Sequence, residues 1–117
     1  MNPHRANIIN TLQLIASAEA ALEYQAQLPS VSVSSELVNQ WFDDFYHPSS
    51  PQFKAAFSDV ELAELGRFHR FFDERVDALP GELTLMLASP EWDQVSAEAA
   101  AMLDRLRWTG LVARYDD

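Results

Sequence analysis

Repeated helix-start signals constrain this chain more than any other feature of its sequence. A residue that caps helices stands before a proline three times, at Asn2-Pro3, Ser50-Pro51 and Ser89-Pro90. This order is typical of helix N-termini, because the capping side chain accepts a bond from a free backbone amide and proline has no amide to satisfy. Ser58 and Glu61 add the spacing of a capping box, which also begins a helix. These signals predict an all-α chain.

Apolar residues at helical spacing between these signals predict five or six helices. The predicted helices cover about residues 3–27, 36–46, 51–57, 59–79, 82–88 and 90–109. No glycine or proline interrupts the first of them, so we expect one long helix there. Residues 30–34 alternate like a strand, but without a second strand they are interpreted as an extended linker. The predicted fold is a compact, single-domain all-α bundle, with residues 82–88 buried and residues 111–115 either packed on it or frayed.

Charge and cysteine content exclude several classes of function. Among 117 residues, 18 acidic side chains stand against 8 basic ones, which gives a net charge of −10, and there is no cysteine. This charge repels phosphate backbones and anionic lipids, so we expect neither nucleic acid nor a membrane as partner. Without cysteine there is no disulfide, thiolate zinc site or cysteine nucleophile. Because the sequence has no leader-like segment and no long apolar run, we expect a cytoplasmic protein.

No motif of catalysis or metal binding occurs, so we expect no catalytic residue, metal or cofactor. The three histidines, His4, His47 and His69, are far apart in the sequence. Asp44 and His47 could form half of a carboxylate–imidazole site, but a histidine near the free carbonyls of a helix end is the favoured interpretation. His69 has Asp73 one turn later and is interpreted as a hydrogen-bonded residue at the core edge rather than as a general base.

Three other residues are candidates for a role in ligand binding or in close packing. Glu19 and Glu23 share a face of the first predicted helix and could line a ligand pocket, although an apolar stripe that drifts around the helix explains them too. Gly66 lies inside a predicted helix, where glycine costs about 1 kcal/mol relative to alanine. Close approach of another chain or close packing within the bundle would explain it. An enzyme is therefore the least favoured class.

Acidic residues are concentrated in the middle of the chain. Residues 36–82 contain ten acidic and four basic side chains. Solubility alone needs a net charge of only about 2–8 for a whole small domain, so we predict that this segment forms an acidic surface that binds a basic partner. The predicted partner-binding residues are Asp43, Asp44, Tyr46, Asp59, Glu64, Phe71, Asp73, Glu74 and Asp77.

Each part of this predicted surface has a second interpretation. The acids could form a solvated face on which nearby arginines pair with them, and such pairs contribute only tenths of a kcal/mol. Phe42, Tyr46 and Phe71 lie off the main apolar stripes of their helices. They are either anchors of an interface, where aromatic residues carry much of the binding energy, or residues that a second neighbouring helix buries.

A block of aromatic and acidic residues runs from Trp41 to Tyr46. Within a short, acidic, cysteine-free helical chain, it resembles the immunity proteins of bacterial contact-dependent growth inhibition systems. The resemblance concerns the character of the whole chain and transfers no role to a numbered residue. It implies a cytoplasmic protein that binds and blocks the toxin domain of a neighbour's effector, commonly a basic nuclease. The alternative is an acidic helical adaptor or regulatory protein that binds a protein partner other than a toxin.

Overall fold

All regular structure in this protein is helical across residues 1–114, which are the residues that the computed structural model describes. The α-helices are α1 (Pro3–Ala16), α2 (Ala18–Gln27), α3 (Val33–Asn39), α4 (Pro51–Ala55), α5 (Asp59–Asp73), α6 (Leu83–Leu87) and α7 (Pro90–Leu106). A π-helical segment, Gln40–Phe45, continues α3, and a 3-10 turn, Val76–Ala78, follows α5. The predicted all-α class is confirmed, with seven α-helices in this range instead of five or six.

The helix-start signals act as the sequence predicts. The side chains of Asn2, Ser50 and Ser89 accept hydrogen bonds from backbone amides in the first turns of α1, α4 and α7. At α5 the capping box is complete, since the Ser58 amide donates to the Glu61 carboxylate at 2.8 Å and the Glu61 amide donates to the Ser58 hydroxyl at 3.2 Å. Four of the seven α-helices therefore begin where the sequence predicts.

The prediction of a single long helix over residues 3–27 is wrong, because the chain leaves the helical conformation at Ser17. This residue has φ −133° and ψ 113°, which is extended backbone. Its hydroxyl accepts from the Ala20 amide at 3.1 Å and so begins a new helix, α2. Serine favours a helix start over a helix interior because its side chain replaces a missing backbone acceptor. The sequence pattern lacked a proline or glycine, but a serine cap was sufficient to divide the helix.

The predicted linker over residues 30–34 is too long, since α3 begins at Val33. Val33 is fully buried, and its amide donates to the side chain of Gln25 at 3.2 Å. Ser34 is buried as well and donates its hydroxyl hydrogen to the carbonyl of Gly81. Contacts with distant parts of the chain thus determine the start of α3, and the local alternation of serine and valine does not.

Helix α5 ends at Asp73, six residues before the predicted end at Leu79. The Arg75 guanidinium donates to the free carbonyl of Phe71 at 2.9 Å, and the Arg75 amide donates to the Phe72 carbonyl at 3.0 Å. These bonds satisfy carbonyls that would otherwise require another helical turn. The apolar residues Val76 and Leu79, which were predicted on the same helix face, are half-buried in and after the 3-10 turn.

Helix α6 is less buried than the sequence predicts. Leu83 and Met86 lie in the core, but Leu85 is 58% exposed. A helix of five residues has room to bury one face only, so the apolar residues on its other face contact solvent.

The core lies where α7 packs against α1 and α5. It contains fully buried side chains from all three helices, among them Ile8, Leu12, Leu65, Phe68, Val95 and Met102. Trp108 is buried just beyond α7, after a turn in which Arg107 adopts the left-handed conformation with φ 62°. The carbonyls of Trp108 and Leu111 accept from the Gln13 side chain, and the Ala113 carbonyl from that of Asn10. The backbone of residues 111–113 is therefore hydrogen-bonded to α1, although the side chains of Leu111 and Val112 are exposed, and Tyr115 of the predicted segment lies outside the described residues.

Two global properties complete the description of the fold. The radius of gyration is 13.7 Å, close to the roughly 13 Å of a single compact domain of about 100 residues. Within residues 1–114, no helix has the length and apolar character needed to cross a lipid bilayer.

One ion pair joins the first turns of α1 and α5. The two terminal guanidinium nitrogens of Arg5 on α1 donate to the two carboxylate oxygens of Glu61 on α5, each at 2.8 Å. This hydrogen bond from Arg5, assisted by the charge and by the bonds from Ser58, lowers the pKa of Glu61 despite the opposing effect of partial burial. Because Glu61 also completes the capping box, one carboxylate both begins α5 and holds it against α1.

We expect Ser17→Ala to lower the free energy of unfolding by about 1 kcal/mol, because α2 loses its N-cap. In a continuous helix the same change would raise stability by a few tenths of a kcal/mol, since alanine has the higher helix propensity. Urea unfolding followed by circular dichroism measures the sign. Ser96→Ala, within α7, is the matched control and should not destabilise the protein. A stabilising Ser17→Ala would contradict the break between α1 and α2.

Glu61→Gln should lower the free energy of unfolding at pH 7 by about 1–2 kcal/mol, because the bidentate bond with Arg5 is lost while glutamine still supports a capping box. The lowered pKa of Glu61 means that its contribution is complete above its unfolded pKa, about 4.3, and disappears as the pH falls through the folded pKa. Urea unfolding from pH 7 to pH 3 should show the two proteins converging in acid. Glu19→Gln, which changes an exposed carboxylate, is the control. If the difference in stability between Glu61→Gln and the unchanged protein does not vary with pH, this role of Glu61 is contradicted.

Candidate functional site: an acidic surface beside an aromatic cluster

An aromatic cluster holds the π-helical segment against α5. The Trp41 indole is fully buried and donates its Nε1 hydrogen to Nδ1 of His69 at 3.2 Å. The Tyr46 ring stacks on both of them, with ring centroids 4.8 Å apart in each case. Phe42 packs against Phe72 with centroids 4.9 Å apart. Three aromatic side chains that are close in the sequence, Trp41, Phe42 and Tyr46, thus contact α5.

The π-helical geometry accounts for the position of Phe42, which helical spacing places off the buried stripe, whereas Tyr46 follows the π-helical segment in extended backbone with φ −89° and ψ 105°. A π-helix has a hydrogen-bond spacing one residue longer than an α-helix, so the angle between successive side chains is smaller than the 100° assumed in the sequence analysis. Consecutive residues Trp41 and Phe42 therefore both reach α5. The two aromatic residues are half-buried parts of the cluster, which favours burial by a second neighbour over exposed anchors.

Gly66 and Arg70, which are both on α5, lie beside Tyr46. A Cβ atom added to Gly66 would lie 3.7 Å from the Tyr46 hydroxyl oxygen and 3.6 Å from Nη1 of Arg70, which are ordinary contact distances. An alanine side chain would therefore fit here, and close packing within the bundle does not require this glycine. Burial raises the pKa of the Tyr46 hydroxyl, and the positive charge of Arg70 partly opposes that effect.

Five carboxylates on the exposed side of this region form what we call the acidic surface. Its residues are Asp43, Asp44, Asp73, Glu74 and Asp77, and all of them are exposed. Within residues 1–114, the four aspartates have no ion pair, and Glu74 contacts Arg75 at 3.6 Å with 71% of its side chain exposed. These side chains are therefore accessible to solvent in the folded chain.

Contacts of the aromatic cluster bring the two halves of the acidic surface together. Phe42 and Phe72 are in ring contact, and the next residue after each of them is an aspartate, Asp43 and Asp73. Glu74 and Asp77 follow Asp73 at the end of α5 and in the 3-10 turn. The ring contact thus brings the chain at Asp43 near the chain at Asp73, although the two residues are 30 positions apart in the sequence.

Asp59 and Glu64 were predicted to belong to the same surface, and the structure separates them from it. Asp59 is the first residue of α5 and Asp73 the last, which places them about 21 Å apart along the helix axis. Glu64 accepts from Arg67 at 3.3 Å and from Arg105 on α7 at 2.8 Å. Partial burial raises the pKa of Glu64, but the bonds from these two arginines outweigh it and lower the pKa.

Phe71 also contacts other parts of the chain. The Arg75 guanidinium carbon lies 3.6 Å from the centre of the Phe71 ring, and Arg75 donates to the side chain of Gln94 on α7 at 2.8 Å. The ring is half-buried against the core. Of the two predicted alternatives for Phe71, burial by a neighbouring helix is the one that the structure favours.

The other candidate residues are not brought into a catalytic or metal site. His47 contacts the backbone carbonyl of Asp44 at 2.7 Å, as expected for a histidine at a helix end. Glu19 and Glu23 are exposed on α2. Across the described part of the chain, no three His, Asp or Glu residues are grouped closely enough to hold a metal ion.

Comparison with known proteins adds no identification. No protein-family model matches the sequence, and neither the curated proteins nor the solved structures include a significant match to this chain. The functional interpretation therefore rests on the charges and contacts of the chain itself.

We expect His69→Leu to lower the free energy of unfolding by about 1–3 kcal/mol, because leucine fills the space of the ring but leaves the buried Trp41 indole N–H without an acceptor. Chemical denaturation followed by tryptophan fluorescence measures this loss. The control His47→Ala removes an exposed histidine and should change stability by less than about 0.5 kcal/mol. Equal effects of the two substitutions would contradict the structural role of His69.

Proposed function

We propose that this protein binds and neutralises a basic toxin domain, with a nuclease as the first candidate, through the acidic surface formed by Asp43, Asp44, Asp73, Glu74 and Asp77. The observation that carries the proposal is that, within residues 1–114, these five carboxylates are exposed and have no ion pair apart from the 3.6 Å contact of Glu74 with Arg75. Within residues 1–114, the strongest ion pairs lie elsewhere, between Arg5 and Glu61 and among Glu64, Arg67, Glu98 and Arg105. The acidic surface is left without such compensation.

The local charge stays negative when nearby arginines are included. Arg70 and Arg75 are the basic residues of the same stretch of α5 and the turn after it, so two guanidiniums stand against five carboxylates. The five carboxylates repel one another, and this repulsion destabilises the free protein. A cationic partner would relieve it, so binding would recover free energy that the unbound fold lacks.

The inhibitory mechanism follows from the chemistry of nucleases. An enzyme that cleaves a polyanion attracts phosphates with basic residues in its cleft. A protein surface rich in carboxylates competes for the same residues and is steered to them by long-range attraction, which raises the association rate at low salt. The rigid packing of Trp41, Tyr46 and His69 beneath the surface would limit the entropy lost on binding.

The resemblance to immunity proteins of contact-dependent growth inhibition systems supports the same proposal. Genes for such inhibitors normally lie directly downstream of the toxin gene, so the product of the gene immediately upstream is the partner to test. An acidic adaptor would use the same electrostatic attraction, and enzymatic assay of the partner separates the two functions.

The test mixes the purified protein with the toxin domain encoded upstream and measures the association rate by stopped flow at increasing salt. The triple variant Asp43→Asn, Asp73→Asn, Asp77→Asn should reduce the rate at low salt by about tenfold or more and weaken inhibition of the toxin. The control variant Glu19→Gln, Glu23→Gln, Asp59→Asn changes the net charge equally at sites outside the acidic surface, and we expect a smaller effect.

Four outcomes would contradict the proposal. The first is the absence of a complex, and the second is an association rate that does not depend on salt. The third is an equal effect of the two triple variants, which would assign the attraction to net charge instead of the acidic surface. A complex that leaves the toxin fully active would overturn the inhibitor function and favour the adaptor.

A further inference from the structure

We infer that a groove next to the acidic surface receives apolar side chains from a basic segment of the partner, an inference that rests on the proposed function. The groove has two sections, one on each side of the hydrogen bond between Ser34 and Gly81. The first section, of about 250 Å³, lies between α3 and the 3-10 turn. The second, of about 460 Å³, lies between α2 and α6.

The lining of the groove is mixed, and several of its apolar side chains remain accessible among serine, asparagine, glutamine and threonine side chains. Val38, Val76 and Leu79 line the first section and are each half-buried. Leu22 lines the second section and is 47% exposed, beside the buried Leu83. Apolar surface of this kind gains free energy when a partner removes it from water, and each section has room for a side chain of leucine or methionine size.

Charge identifies the occupant as a cationic segment. No basic residue lines either section of the groove, whereas Glu82 lines the second one. Asp77 lies between Val76 and Leu79 in the sequence, and Asp73 precedes Val76 by three residues. Apolar side chains seated in the first section would therefore have lysine or arginine neighbours within reach of carboxylates of the acidic surface.

A second copy of this chain does not have the positive charge that the occupant of the groove requires. The chain has a net charge of −10, and its acidic surface borders the groove, so two copies facing each other here would bring like charges together. A basic partner with apolar anchors satisfies both the apolar lining and the acidic border.

Gly81 is a position at which a bulky side chain can be added beside both sections of the groove without a clash of its Cβ atom within the fold. It lines both sections, it is exposed, and a Cβ atom added to it meets no atom within 4 Å. Its carbonyl, which accepts from Ser34, belongs to the backbone and is kept in a Gly81→Leu variant. Ala101→Leu adds the same side chain at an exposed position of α7 and serves as the matched control.

The experiment uses fluorescein-labelled synthetic peptides that share the same lysines and differ at two positions, which carry leucine in one peptide and serine in the other. Fluorescence anisotropy with the full chain should show the leucine peptide binding about tenfold tighter or more, because two apolar side chains leave water. Gly81→Leu should remove this preference and leave the weak, salt-sensitive binding of the serine peptide. Ala101→Leu should keep the preference.

Other results would overturn the inference in distinguishable ways. Equal, salt-sensitive binding of both peptides, or a preference that survives in Gly81→Leu, would reject the groove and leave the proposed function standing. A third peptide, in which glutamates replace the lysines but the leucines remain, should not bind. If it binds as well as the lysine peptide, the occupant is not cationic. Failure of all peptides would reject the groove, since the binding and inhibition of the whole toxin domain are measured separately.

Discussion

The contact of Trp41 with His69 is the interaction on which the candidate site depends. The indole is fully buried and can only donate a hydrogen bond, and Nδ1 of His69 is the acceptor. The stacking of Tyr46 on both rings and the contact of Phe42 with Phe72 extend this arrangement along α5. Because the π-helical segment is held this way, its exposed aspartates lie in the same region as the carboxylates at the end of α5. The aromatic cluster therefore positions the chain segments that carry the acidic surface.

Much of the fold could be predicted because helix starts are local. Caps and prolines act within four residues, so Ser50, Ser58 and Ser89 begin their helices without help from distant contacts. Helix ends were less predictable. Helix α5 ends where Arg75 satisfies a carbonyl, and its guanidinium is also fixed by the side chain of Gln94 on α7. The start of α3 likewise depends on Gly81, 47 residues away. Such tertiary contacts have no local signature in the sequence.

The candidate site could be predicted only in part, and for the same reason. Charge counting located the acidic segment and named all five residues of the acidic surface, but it could not separate solvated acids from Glu64, which Arg105 reaches from another helix. Helical spacing misplaced Phe42 because it assumes an α-helix where the chain forms a π-helix. The groove was missed entirely, since its walls come from α2, α3, α6 and the 3-10 turn. The run of aromatic residues next to paired aspartates, from Trp41 to Tyr46, was a second signal that pointed to the acidic surface.

The position of the bound partner is the most direct test of the acidic surface. Hydrogen–deuterium exchange of the chain, measured alone and in complex with the toxin domain encoded upstream, reports which backbone amides the partner protects. We predict that protection is greatest in residues 38–46 and 70–80, with little change in the first turns of α1 and in α2 before residue 22. Protection centred on α1, or on the arginine-paired face of α5 and α7 around Glu98, would contradict the docking surface that we propose.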